Sequence, residues 1–546
     1  MKPPPIAELS MDELKHILAR ARMEPLSEGD CQKLEALMET LLYLSELAED
    51  RNTTIAQLRQ ILVRSSSEKL SDIFPDHDTN EKSKTGTETS AGREPETAPA
   101  SGPPAKPKSQ ANGHGRNGAS AYAGAHRIPV AHPSLQSGDG CPGCQKGKVY
   151  RQRAPGMLVR VVGQAPIQAT VYELEKFRCN LCGEVFTAEA PQGVGPEKYD
   201  ASSGSMIALL KYGSGFPFYR MERLQDNLEI PLPASTQWEI VKKAADQVEP
   251  AYEELIRQAA QGQVLYNDDT SMRVLELMKE ISADEDRTGI FTSGIVSTRD
   301  GQRIALFFTG RQHAGENLSD VLQERLHSLG PPIQMCDALS RNVPKALQVI
   351  LANCLAHGRR QFVEVAANFP EECRHVLDVL AGVYHLDDLA RQQQMSADER
   401  LALHQARSGP RMEELRHWFA QQLDEHRVEP NSGLGAAIAY MQKRWDRLTL
   451  FLRVSGAPLD NNICERALKK AILHRKNSLF YKTKNGAHVG DIFMSLIYTC
   501  QFCGANAFDY LNELQRNSAE LSRNAPAWMP WNYRHTIDLA VEDRPG

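Results

Sequence analysis

Three carboxylates and a run of bases carry the chemistry open to this chain. Asp268 lies at the end of the strand-like run that begins at Gln263, Asp337 ends a second run from Pro332, and Glu465 stands in LDNNICERALKKAILHRKNSLFYKTK. Asp460, Asn461 and Asn462 make a helix start, because Asx side chains satisfy orphan backbone donors. Arg466, Lys469, Lys470, Arg475 and Lys476 follow Glu465 on that helix. A lone acid among so many bases suits a residue that holds a divalent metal against a nucleic-acid backbone gripped by the bases. A solvated helix with i,i+4 ion pairs is the plainer alternative. Three carboxylates are what two Mg²⁺ (or Mn²⁺) ions need, since hard cations take oxygen ligands and two of them about 4 Å apart clamp both oxygens of a phosphoryl displacement. His357 with Arg359 and Arg360 adds a phosphate-contact candidate, because guanidinium forks match phosphate oxygens.

A second constellation is made of thiols. Cys141-Pro142-Gly143-Cys144 and Cys179-Asn180-Leu181-Cys182 are two CxxC knuckles separated by a stretch that alternates apolar and polar residues. Four thiolates so spaced form a closed tetrahedral site for one structural Zn²⁺, and the strands between them read as a zinc ribbon over 136–190. No ligand position is left open for catalysis by that zinc.

These residues need elements to hold them. The runs Gly289–Thr298 and Arg303–Thr309 are β-rich and meet at an Arg299-Asp300-Gly301 turn, a hairpin signal. A helix follows from about Glu316 to His327, and then comes the Asp337 strand. Three antiparallel strands and a fourth reached through a helix are how a ribonuclease-H-like core is written, with Asp268 on the central strand, Asp337 on its neighbour and Glu465 returning on a late helix. The stretch 369–453 reads as a helical insertion into a catalytic domain spanning 260–485. Within 200–250, MERLQDNLEI and ASTQWEIVKKAADQV have the proportions of a helix-turn-helix, which two ordinary packed helices share.

Upstream, Leu34, Leu41, Ala48, Ile55 and Leu62 keep a seven-residue spacing, a coiled-coil pattern within 1–70 that Arg51 interrupts. Residues 71–135 are rich in Pro, Gly, Ser and charge and read as a flexible linker. The fold class expected is therefore multidomain α/β: a ribonuclease-H-like core with a helical insertion, preceded by a coiled-coil helix and a four-cysteine ribbon. At 546 residues and net charge −6, the chain has room for several domains and no global basic field, so nucleic-acid contact falls to local patches. Eleven cysteines in a chain with no apolar run of membrane length argue for metal ligation rather than disulfides, and for a cytoplasmic location without membrane contact.

The segments Asp268-Asp269-Thr270, Cys354-Leu355-Ala356-His357-Gly358-Arg359-Arg360-Gln361-Phe362, Asp460–Leu468 and Arg475–Phe480 resemble the transposases of the insertion sequence 66 family. The similarity extends to Ser67–Leu70, the cysteine ribbon, Thr499–Gly504 and the tail over 486–546. It implies a DDE transposase in which Asp268, Asp337 and Glu465 bind metal, cutting double-stranded DNA at transposon ends and joining it to a target. The family usually has an acid-Glu-Thr at the first position, so Asp269 stays open as the first ligand, and Ala338-Leu339-Ser340-Arg341 departs from the usual follow-on to the second acid. Bringing two ends together implies a homodimer or larger assembly, and accessory proteins of the same element are a further expectation. The alternatives are a zinc-ribbon DNA-binding regulator that no longer cuts, and a metal-dependent DNA nuclease that hydrolyses without joining.

Overall fold

A computed structural model describes residues 27, 29–30, 33, 119–121 and 128–542, apart from 152–157, 159–163, 179–184, 196, 281–286 and 345–346. The heptad pattern of the N-terminal region, nearly all of the expected linker, and Cys179 and Cys182 lie outside these residues. The chain forms two units, one of residues 79–166 and the other of 1–78 with 167–546.

In the smaller unit the Cys141–Cys144 segment is a tight knuckle. Cys141 N donates to Gly147 O at 2.8 Å, Gln145 N donates to Cys141 O at 2.8 Å, and Gly140 bridges to Lys148. The amides of Lys146 and Gly147, and then the Cys141 thiol, hold the Cys144 thiol below its ordinary value. Donors aimed at a sulfur in this way favour the thiolate that a metal requires.

The larger unit is mixed α/β around a five-stranded sheet. Its strands are β1 (Val264–Ser271), β2 (Phe291–Arg299), β3 (Gln302–Gly310), β4 (Ile333–Cys336) and β5 (Ile350–Asn353), in the order β3-β2-β1-β4-β5. The first three are antiparallel neighbours, whereas β4 runs parallel to β1 and β5 parallel to β4. Asp300 and Gly301 take positive φ at the tip between β2 and β3, the backbone that a two-residue hairpin loop demands.

Helices cover both faces and one edge. They are α1 (Ala201–Ala208), α2 (Phe218–Asn227), α3 (Ala234–Ala259), α4 (Ala314–Gln323), α5 (Leu355–Val365), α6 (Pro370–Gln392), α7 (Gly409–Asp424), α8 (Gly433–Lys443), α9 (Asn462–Ser478), α10 (Lys484–Cys503) and α11 (Ala507–Arg516). One buried cluster joins α1, α3, α9, α10 and α11 to β1–β3; a second joins α5–α8 to β4 and β5. Trp445 is buried in the second cluster, and Trp418 packs on Phe419 and His375. In α3, Gln237 is buried and donates to the carbonyls of Leu232 and Phe218, so its amide fastens the turn between α2 and α3, while Ser235 and Lys242 face solvent.

The free edge of β3 is closed by side chains. Ala305 N, Phe307 N and Thr309 N donate to Thr499 Oγ1 (3.1 Å), Ser495 Oγ (3.0 Å) and Asp491 Oδ2 (2.7 Å) on α10. Four helical residues advance about 6 Å and two strand residues about 6.8 Å, so an i, i+4, i+8 set of oxygens stays in step with alternate strand amides. An edge that would otherwise template pairing with another chain is thereby covered.

Candidate active site

Successive side chains on a strand point to opposite faces, and this parts Asp268 from Asp269. The Asp269 carboxylate is 2% exposed and taken up by His313 Nδ1 at 2.8 Å and by the Arg341 guanidinium at 3.3 Å. Asp268 points the other way, toward α9. There it meets Asp337, which follows β4 directly, and Glu465 in the first turn of α9. Burial comes first, and then the negative charges of Asp337, Asp269 and Glu465, in pushing the Asp268 carboxyl up to about 7. The Asp269 amide, 2.8 Å from Asp268 Oδ1, offsets part of this. Of the two candidates for the first position, Asp268 is the one facing the other acids.

The helix that brings Glu465 in can approach only because its seat is a glycine. Gly294 on β2 stands opposite Asp268, and a Cβ there would lie 2.9 Å from Leu468 Cγ. Cys464, Ala467, Leu468 and Ala471 form the buried stripe that packs on the sheet, and burying a leucine such as Leu468 contributes about 1.5–3 kcal/mol. The start of α9 differs in detail from the Asx cap read in the sequence. Asp460 accepts from Asn462 N at 3.1 Å, whereas the Asn461 amide donates to Asn267 O at 3.1 Å and ties α9 to β1.

Sequence reasoning missed a layer of buried amides behind the acids. Asn342 Nδ2 donates to Asp337 Oδ1 at 2.5 Å and reaches Asp268 Oδ1 at 3.4 Å. The main-chain carbonyl of Asn342 accepts from Asn267 Nδ2 and Gln334 Nε2, each at 2.7 Å, and Gln334 also donates to Asn267 Oδ1 at 2.8 Å. The turn that carries Asn342 rests on the start of α4, where a Cβ on Gly315 would come within 2.6 Å of Arg341 O. These three amides come from β1, from β4 and from the turn after β4, and no local spacing announces them. One part of their signal was available: Asn267 and Gln334 sit inside strands, where a polar residue on an inward face needs a partner.

The cluster suits divalent metal. Its acids repel one another when ionised, and both Glu465 Oε1 and His357 Nδ1 are shielded from water without a hydrogen-bond partner. Glu465 faces His357, with Nδ1 and Oε1 3.8 Å apart.

The sequence profile described as "Transposase IS66 family" matches residues 198–489, more than half of the chain and all of the sheet and acids above. The chain belongs to the IS66 transposase family. Among similar proteins, the uncharacterized protein y4hP of Sinorhizobium fredii is 25% identical over 67% of this chain and 68% of its own length. Two others of the same organism, the uncharacterized proteins y4jD and y4qI, are 33% and 24% identical over 34% and 60% of this chain, and 36% and 61% of their own lengths. No solved structure matches. Family membership carries a transposase-type function, and with it DNA binding and the use of divalent metal. Among the described residues no helix is long and apolar enough to cross a membrane.

Within this family member the basic residues divide. Arg466, Lys469 and Lys476 are exposed on α9, and Arg359 and Arg360 are half-buried on α5 beside His357. Two others are engaged in the fold. Arg475 donates to Thr270 Oγ1 at 3.1 Å, Ser271 Oγ at 2.6 Å and Ser271 O, clamping α9 to the end of β1. Lys470 donates to Gly213 O at 3.1 Å, and burial lowers its ammonium from the ordinary value. Both were grouped with the phosphate contacts in the sequence reading, because side chains one turn apart look alike until the surrounding elements are in place.

Proposed function

We propose that this chain is a DDE transposase that hydrolyses the phosphodiester backbone at the ends of its DNA element and joins the freed 3′-hydroxyl to target DNA. Asp268, Asp337 and Glu465 would hold two magnesium ions, with manganese as a substitute. When bound, such ions supply an activated water and neutralise charge at the reacting phosphate. The observation that carries the reading is the convergence of Asp268, Asp337 and Glu465 from a central strand, its parallel neighbour and a returning helix. The strand order β3-β2-β1-β4-β5, antiparallel on one side and parallel on the other, supports a ribonuclease-H-like core. The helices between β5 and α9 support an insertion within it.

The chain's own residues have separable tasks. Asn342 orients Asp337 and Asp268 through its amide. Arg466, Lys469 and Lys476 hold DNA phosphates, with affinity that falls as salt rises, and His357, Arg359 and Arg360 serve the phosphates nearer the acids. Cys141 and Cys144 would supply two thiolates of the zinc site read in the sequence. The N-terminal heptad helix pairs protomers so that two ends are held together.

The test is a Mg²⁺-dependent assay of the full chain on DNA carrying its element's end, wild type beside Glu465→Gln. Cleavage and joining by the wild type, lost in the variant while end binding persists, is the expected result. Cleavage without joined product would replace transposase by nuclease, and equal activity in both proteins would remove Glu465 from the site.

A further inference from the structure

Glu465 has a second set of neighbours besides the acids. Cys354 caps the start of α5 and His357 stands one turn in, a Cys-x-x-His spacing that turns both side chains toward one side of the helix. Leu355 N donates to Leu459 O at 2.9 Å, and Asn461 N donates to Cys354 Sγ at 3.3 Å, so the first turns of α5 and α9 are stitched together. Donor atoms of Cys354, His357 and Glu465 all lie within 4.8 Å of one another.

Two side-chain atoms of this corner lack the partner that burial normally requires. His357 Nδ1 and Glu465 Oε1 are both buried atoms with no hydrogen-bond partner, although their residues are 25% and 28% exposed. Their separation of 3.8 Å is too long for a hydrogen bond. It is below the roughly 4.2 Å that two nitrogen or oxygen ligands can span on one ion at about 2.1 Å each. Burial pushes the Cys354 thiol up to about 12, and the backbone N–H of Asn461 and the helix starts of α5 and α9 offset part of this, so the thiolate forms only with a metal bound.

We propose that Glu465 Oε1, His357 Nδ1 and Cys354 Sγ form a mixed oxygen–nitrogen–sulfur site for one borderline divalent ion of the zinc class, which the harder Mn²⁺ occupies more weakly as a probe. Imidazole and thiolate suit such ions, whereas magnesium keeps to oxygen. On binding, the Cys354 S–H bond breaks, the metal–sulfur bond forms and the proton leaves to water. Glu465 then serves two neighbourhoods through its two oxygens, and the metal preference of the active site is set partly by α5. The inference deepens the proposed function and rests on Glu465 as a metal ligand.

The test is spin-echo modulation spectroscopy of the metal-stripped, tag-free full chain reloaded with Mn²⁺. The expected result is modulation from one imidazole nitrogen that changes to the ¹⁵N pattern when histidine is ¹⁵N-labelled, a readout that needs no variant. It should vanish in His357→Phe and persist in Cys141→Ser. Mn²⁺ that binds in an Asp268-dependent manner without nitrogen modulation, or modulation that survives His357→Phe, would overturn the inference and leave the proposed function standing. Mn²⁺ binding indifferent to Asp268 and Glu465 alike would overturn both. For the sulfur, Zn²⁺ should displace Mn²⁺ from wild type at concentrations about tenfold or more below those needed in Cys354→Ser; equal displacement would remove the thiol from the ligand set.

Discussion

Asp268 and Asp491 are both acids of the same folded unit, and both have carboxyls pushed up to about 7 with burial as the first cause. Their surroundings differ. Asp491 receives Thr309 N and Thr309 Oγ1, each at 2.7 Å, and the positive influence of His488, so both of its oxygens are satisfied by the edge it closes. Asp268 has one close amide and three acids around it. A raised carboxyl therefore marks burial in both places, and only the company of other acids marks a place for cations.

That contrast can be broken most sharply by removing each charge. Asp268→Asn should lower strand cleavage more than about a thousandfold, since metal-assisted charge stabilisation is worth several kcal/mol. It should leave the melting temperature of the metal-free protein unchanged or higher. Asp491→Asn should leave cleavage within a few-fold of wild type. Equal losses in the two variants, read by single-turnover cleavage, would erase the distinction.

Next in size is the support behind the acids. Asn342→Ala removes the side-chain amide that holds Asp337 and reaches Asp268, while the main-chain carbonyl that receives Asn267 and Gln334 stays in place, and loss of such an outer partner typically weakens metal affinity about 10–100-fold. Calorimetric titration with Mn²⁺ measures it, and an unchanged affinity would show that Asp337 needs no positioning.

A smaller effect comes from pH. The folded value of Asp491 lies above the ordinary 3.8, so the folded chain keeps a proton that the unfolded chain releases. The stabilisation is complete below about pH 4 and is lost as pH rises through about 7. Asp491→Asn should therefore lose less melting temperature than wild type between about pH 5 and about pH 8. Parallel slopes would mean that Asp491 titrates normally.

The smallest difference separates neighbours on α9. Lys476→Ala should lower the slope of log affinity for DNA against log salt by about 1. Arg475→Ala should leave that slope alone and cost about 1–3 kcal/mol of stability, having left Thr270 and Ser271 without their partner. A reversal of the two would reassign the phosphate contact.

The hairpin, the strand that Asp337 follows and the start of α9 were legible in the sequence because they follow from local rules: alternation, an Asp-Gly turn and an Asx-rich helix start. Asp268, read at a strand end, lies inside β1, which runs on to Ser271. The choice between Asp268 and Asp269 was not legible, since it depends on which face α9 covers, and Gly294 decides that from another strand. Nor was the engagement of Arg475 and Lys470, whose partners lie more than 200 positions away. The α10 ladder left a trace that could have been read. Asp491, Ser495 and Thr499 form a polar stripe at i, i+4, i+8 within an otherwise apolar helix, and such a stripe needs buried partners.

That ladder also sets the timetable of synthesis. Thr499 lies 194 residues beyond Ala305, and Asp491 lies 182 beyond Thr309. At about 5–20 residues per second, the ribosome leaves the β3 edge bare for roughly 10–40 s after the strand has emerged. Glu465 arrives late in the same interval, so a nascent chain holds Asp268 and Asp337 without their third acid. Until α10 is made, that edge stays open to pairing with another nascent chain.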